Sequence, residues 1–163
     1  MQKKLAYRYK SYIAIGSNVG NWRSNFNSAL NLMNKFGHVK KVSRVYFTKP
    51  FGLTAQKYFH NAAFLFLTNL FFNELFIKMN AVEKLIKKNK LLENGPRRID
   101  LDLIQFENLK VKNHLISIPH SSRFRPLFKI KYSRKHSLVC CYFWWPWSSS
   151  RNSYYWKCLR RSN

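Results

Sequence analysis

Asp100 and Asp102 stand two residues apart in the run Arg97-Arg98-Ile99-Asp100-Leu101-Asp102-Leu103-Ile104. Polar and apolar residues alternate there as in a strand. A period of two puts both carboxylates on one face, with Leu101 pointing the other way. Gly95-Pro96 is a turn signal just upstream, so the strand begins after it, with Arg97 and Arg98 beside the acids. Carboxylates this close repel one another unless cations hold them. Hard divalent ions bound through carboxylates and substrate phosphates meet that need, and arginine forks suit phosphate oxygens. A lone Asp-x-Asp is more commonly a solvated strand face with an ion pair. Scarcity argues for more here: the chain has six acidic residues, and two of them are these.

The six acids (Glu74, Glu83, Glu93, Asp100, Asp102 and Glu107) stand against 30 Lys and Arg, a formal net charge of +24. Such a balance suits an anionic partner: nucleic acid, a membrane surface or a phosphorylated small molecule. The cations are spread along the chain without a long block, so compositional drift accounts for them equally well. A chain of 163 residues is long enough for one domain with a proper core. Arg8 and Lys10 interrupt Leu5 to Tyr12, which leaves no apolar export core. Tyr58 to Asn73 lacks formal charge but contains His60, Asn61, Thr68 and Asn69, short of the roughly 20 apolar residues of a spanning helix. Cys140, Cys141 and Cys158 form neither a disulfide framework nor a zinc spacing. The expected location is the cytoplasm.

The elements that must position the acids can be read in order. Tyr12 to Gly16 is a short strand ending in a glycine turn, and Asn21 is placed to cap a helix over Trp22 to Phe36, stopped by Gly37. The Gly16/Gly20 pair lacks the third glycine of a dinucleotide fingerprint and the Gly-Lys-Ser/Thr of a phosphate loop. Val39 to Thr48 reads as one strand and Phe59 to Leu70 as a more hydrophobic, central one. Asn73-Glu74 opens a second helix with the apolar face Leu75, Met79, Val82, Leu85 and Ile86, and Glu83 beside that face looks toward the acid-bearing strand. A short strand around Val111 leads to Ile118-Pro119-His120. The order strand, helix, strand, strand, helix, strand predicts an α+β fold: a ferredoxin-like sandwich, with an antiparallel sheet and two helices on one face.

Tyr12 to Gly20, Tyr46 to Asn61, Gly95 to Ile104 and Ile118-Pro119-His120 resemble, in order, the motifs of the 6-hydroxymethyl-7,8-dihydropterin pyrophosphokinases of folate synthesis. The Gly-Pro-Arg-x-x-Asp-x-Asp run is the most specific of them. The resemblance covers about residues 11 to 120 and implies transfer of the β,γ-diphosphate of ATP to a pterin alcohol, on the ferredoxin-like fold already expected. It implies two Mg²⁺ ions held by Asp100 and Asp102, with Arg97 on the nucleotide phosphates. Asn80, Glu83, Ile99 and His120 would be further nucleotide contacts. It places Thr48, Pro50, Phe51 and Gly52 in the loop lining the pterin, Asn61 on the pterin edge, and Phe59 and Phe128 as aromatic neighbours of the ring. A flat heterocycle suits an aromatic sandwich plus an amide that both donates and accepts. No residue stands out as a general base. The implied partners are small molecules, with no membrane and no nucleic acid, and the implied state is a monomer.

The chain departs from that family at several points. Asn94 stands where a tryptophan usually precedes Gly-Pro-Arg, and Lys87-Lys88-Asn89-Lys90 offers lysines where arginines usually clamp the phosphates. A point charge clamps more loosely than a fork. Lys49 replaces a common proline. The catalytic domain is expected over residues 1–128. Residues 129–163 form an aromatic, basic tail (Tyr142-Phe143-Trp144-Trp145-Pro146-Trp147) without resemblance or periodicity, expected to be poorly structured, and a shifted reading frame near residues 121 to 129 accounts for it. The alternative reading is a small basic RNA-binding module on a ferredoxin-like sheet. Against it, the aromatic signature of such sheets is absent, and an acidic pair repels phosphate unless metal intervenes.

Overall fold

The computed structural model describes residues 6–50, 53–86 and 95–120. Within them run β1 (Tyr9–Ser17), α1 (Trp22–Met33), β2 (Gly37–Val42), β3 (Tyr46–Thr48), β4 (Phe59–Thr68), α2 (Phe72–Leu85), β5 (Asp100–Phe106), β6 (Val111–Lys112) and β7 (Ser117–Ile118). β2, β4, β1 and β5 lie side by side, β3 also pairs with β4, and β6 and β7 form a separate ribbon. Every pairing is antiparallel. With both helices on one face, this is the expected α+β, ferredoxin-like arrangement.

Alternation along the strands sorts the side chains onto two faces. Ile13, Ile15, Ala62, Phe64, Phe66, Leu101 and Leu103 pack against Phe26, Ala29 and Met33 of α1 and Leu75, Met79 and Val82 of α2. The opposite face has a smaller apolar cluster of Tyr12, Ala14, Ala63, Leu65 and Ile104. β1 and β4, sandwiched between neighbours, carry the longest apolar runs, as strands buried on both faces do.

Several boundaries differ from the sequence expectation, each for a local reason. α1 starts as expected, with Asn21 Oδ1 accepting from Arg23 N–H (3.0 Å) and Ser24 N–H (3.2 Å). It stops at Met33, ahead of Phe36, and Asn34 Oδ1 instead accepts from Val39 N–H (2.8 Å) to start β2. Gly37 is not the helix stop. It opens β2, where a Cβ would lie 2.3 Å from Leu67 O, so only glycine lets the strand approach β4 there. The strand expected over 39–48 is two. Ser43 exchanges bonds with Ala63 (Ser43 N–H to Ala63 O, 2.8 Å; Ala63 N–H to Ser43 Oγ, 2.9 Å), and the chain then leaves the ladder before β3. In α2, Leu85 is 70% exposed while Glu83 is 2% exposed. The buried stripe follows 75, 79, 82 and 86 at helical spacing, and Leu85 falls off it.

Candidate active site

Antiparallel register lines up the face opposite the helices in rows, because directly paired residues share a face. One row runs Tyr46–Asn61–Gly16–Asp100 across β3, β4, β1 and β5; the next places Ala63, Ala14 and Asp102 together. The acids and the amide thus flank a floor of Gly16, Ala14 and Ala63. Asn61 and Asp100 are two strands apart, roughly 10 Å by ordinary strand spacing. A trough with an amide on one bank and two carboxylates on the other is what the register builds.

Gly16 lies inside β1 and does not form the turn expected after Ile15. A Cβ there would stand 2.7 Å from Asn61 Oδ1 and 3.7 Å from Asp100 Cβ. The missing side chain is the space into which the Asn61 amide leans. Asn61 Nδ2 donates to Thr48 Oγ1 (2.9 Å), and Thr48 is buried beside Phe59 on the paired strands. Thr48, Phe59 and Asn61 therefore come together as one bank.

On the other bank Arg97 Nη1 donates to Asp100 Oδ1 (2.8 Å), the two side chains being 12% and 23% exposed. Arg97 Cζ sits 5.6 Å from the Phe59 ring centre, which ties the two banks at one end. Its Nε is buried and has no hydrogen-bond partner among the described residues. A guanidinium N–H without a partner beside the Asp100 carboxylate is suited to an anionic oxygen.

The remaining predicted residues are placed less directly. Glu83 is buried in α2, and its Oε1 accepts from Leu101 N–H (2.6 Å), the amide between the two aspartates. That bond satisfies the outer edge of β5, so the Glu83 carboxylate braces the acid-bearing strand. Asn80 lies half-buried one turn earlier on the same helix. Ile99 is fully buried in the core, which leaves its backbone as the part able to face a ligand. His120 N–H donates to Ile104 O (3.0 Å), which lays the end of the Ile118-Pro119-His120 motif along β5. Pro50 is half-buried at the end of the described 6–50 segment. Phe51, Gly52 and Phe128 lie outside the described residues, as do Asn94, the lysine-bearing stretch 87–90 and all of 129–163.

Asn18 is a further residue of the site, outside the expected set. It is buried and bonded to Arg97 on one side and to Gln56 and Lys57 on the other. It lies within the Tyr12 to Gly20 motif, but only the converging loops show its bonds. Also outside the expectation is a cluster on the helix-covered side, where the His60 ring stacks on Trp22 (4.8 Å between centres) and tilts against Phe47 (4.9 Å). With Tyr58, Lys57, Gly20 and Asn18 these rings line a cleft of about 360 Å³. Burial, and next the nearby Arg23 cation, push the His60 pKa below the ordinary 6.5.

Among the described residues no three His, Cys, Asp or Glu side chains cluster as a metal cage. Magnesium does not need one, since it keeps waters and is held by one or two carboxylates plus substrate phosphates. Two half-buried carboxylates on one face of the sheet fit that donor set. Among the described residues no helix is long and apolar enough to cross a membrane.

Comparison with known proteins finds a family and several relatives. Residues 12–132 match the family described as 7,8-dihydro-6-hydroxymethylpterin-pyrophosphokinase. The chain is 32% identical over 109 residues to a 2-amino-4-hydroxy-6-hydroxymethyldihydropteridine pyrophosphokinase of Aquifex aeolicus, covering 67% of this chain and 68% of that one. A Bacillus subtilis protein of the same name is 31% identical over 120 residues, with 72% of each chain covered. The mitochondrial folate synthesis bifunctional protein of Pisum sativum is 38% identical over 109 residues, 66% of this chain but 21% of that one. The chain thus spans about a fifth of the pea protein's length.

Proposed function

This chain belongs to the 7,8-dihydro-6-hydroxymethylpterin-pyrophosphokinase family, and on that premise we propose that it transfers the β,γ-diphosphate of ATP to 6-hydroxymethyl-7,8-dihydropterin, releasing AMP. The observation that carries the reading is the pairing of Asn61 and Asp100 across Gly16 on one face of the sheet. That register supports a pterin held at the amide bank with its hydroxymethyl group toward the acids.

Each residue's part follows from its surroundings. Asn61, held by Thr48, offers donor and acceptor atoms to the pterin edge, and Phe59 closes the end of that bank. Phe51, Gly52, Pro50 and Phe128 complete the pterin lining in this proposal. Arg97 binds the phosphates through the N–H groups that Asp100 does not use. Asp100 and Asp102 are the residues that would hold two magnesium ions. When bound, those ions supply neutralisation of phosphate charge and in-line alignment. His120 and Asn80 contact the nucleotide, Ile99 through its backbone. Glu83 keeps β5, and with it both aspartates, in place. The proposal further holds that the protein acts on small molecules as a monomer in the cytoplasm. Neither the described residues nor the relatives favour the nucleic-acid reading.

The test is release of AMP from ATP in the presence of the hydroxymethyl dihydropterin, with and without Mg²⁺. Magnesium-dependent AMP formation that requires the pterin is the expected result. AMP release indifferent to the pterin, or none with either substrate bound, would sink the reading.

A further inference from the structure

We propose that Asn18 is the positioning residue that sets the pterin-side loop against Arg97, an inference that rests on the reading above for its two substrates. Asn18 is 6% exposed. Its N–H donates to Arg97 O (3.1 Å) and its Oδ1 accepts from Arg97 N–H (2.8 Å), a closed pair. Its Nδ2 donates to Gln56 Oε1 (2.8 Å) and to Lys57 O (3.0 Å). One side chain therefore joins three stretches of chain: the loop after β1, the segment before β4 and the turn before β5.

The two joined sides differ in how else they are held. Arg97 runs on within three residues into β5 and is bonded to Asp100. The 53–57 segment belongs to no strand, and bonds within it are short-range: Gln56 N–H to Thr54 O (2.8 Å) and Gln56 Nε2 to Leu53 O (2.7 Å). It directly follows Thr48 to Gly52, the pterin lining, and directly precedes Phe59 and Asn61. Asn18 ties it to the phosphate side. A displacement of a reacting group by about 1 Å is enough to cost catalysis heavily, so a tie of this kind matters.

An amide has two ends that can be separated chemically. In Asn18→Asp the carboxylate still accepts from Arg97 N–H but cannot donate to Gln56 Oε1 or Lys57 O, so only the pterin side is released. Asn18→Ala removes the side-chain bonds on both sides and leaves only the backbone bond from residue 18 to Arg97 O. For Asn18→Asp the KM for the pterin should rise about tenfold while the KM for MgATP stays within about twofold. For Asn18→Ala both should rise and kcat should fall. Hydrogen exchange of the unliganded protein follows the tie itself: in Asn18→Asp the Gln56 and Lys57 amides should exchange about tenfold faster, with Arg97 unchanged. A pterin KM unmoved in Asn18→Asp, or a MgATP KM raised equally, overturns the proposal. If the wild-type chain turns over no pterin, the functional reading fails. Exchange then decides the tie alone, and unchanged rates over 53–57 overturn it.

Discussion

The face of the sheet that meets α1 and α2 is filled by Ile13, Ile15, Phe64, Phe66, Leu101 and Leu103, whereas the opposite face sinks in mid-sheet to Gly16, Ala14 and Ala63, between Asn61 and the two aspartates. The same three strands supply both, one residue out of step. The packed face is stabilised by apolar area removed from water, a non-directional effect that tolerates exchange of one large apolar residue for another. The trough depends on which atom stands beside which, and a one-residue slip in register would move its groups to the other face. Stability and function should therefore respond to different mutations, although the residues are chain neighbours.

The largest expected separation is at Asp102. Asp102→Ala should lower turnover by on the order of a thousandfold, about 4 kcal/mol of activation free energy, while pterin affinity and thermal stability stay near wild type. Pterin binding measured by calorimetry alongside AMP release checks this. Equal loss of both would mean that the acid supports the fold of the bank and not the phosphates. On the packed face, Phe64 is 1% exposed, and Phe64→Ala should cost about 3–5 kcal/mol of stability through lost burial and the cavity left behind. Its kcat/KM per folded molecule should hold. Denaturant unfolding with an active-site titration gives both numbers, and a large loss of kcat/KM in folded protein would show that the two faces are mechanically one.

Gly16→Ala sharpens the same contrast at smaller amplitude. The new methyl would meet Asn61 Oδ1 at 2.7 Å. That atom is the end of a flexible side chain, so the fold can yield by turning the amide, and stability should change by less than about 1 kcal/mol. In the proposed reading the pterin is held by that amide, so the KM for the pterin should rise about tenfold, with that for MgATP unchanged. Steady-state kinetics with each substrate varied separates the outcomes. A stability loss without a change in KM would place Gly16 with the core.

The two faces were also unequally legible in the sequence. Period-two and period-3.6 patterns showed β1, β4, β5 and both helices, and with them the α+β class, because apolar burial repeats along the chain. The acid pair was legible for the same reason, both members lying on one strand. Less visible was what depends on contact between distant segments. Gly16 and Gly37 looked like punctuation, yet each is a close approach to β4, to Asn61 in one case and Leu67 O in the other. Glu83 was placed beside the acid strand, but the backbone amide it bonds could be found only from the register. Asn18 lay within the Tyr12 to Gly20 motif but gave no sign of its partners, since three loops from separate parts of the chain converge on it.

The smallest predicted effect puts a titratable group on the packed side of the comparison. His60 is paired with Ser17 at the start of β4, stacked on Trp22 and tilted against Phe47, and its pKa lies below the ordinary 6.5 through burial and then Arg23. The folded protein therefore holds the neutral ring to lower pH than the unfolded chain does. As pH falls below about 6.5 the unfolded chain takes up a proton that the folded one refuses, so stability declines until the folded pKa is passed and then levels. Above about 6.5 the group has no such effect. His60→Phe should flatten the fall in Tm between pH 7 and pH 5 by about 1–2 °C, while the ratio of pterin to MgATP KM follows the wild-type pH profile. If the Tm slope is unchanged and the pterin KM profile shifts instead, His60 acts through the trough, and the division between the two faces is not where the packing places it.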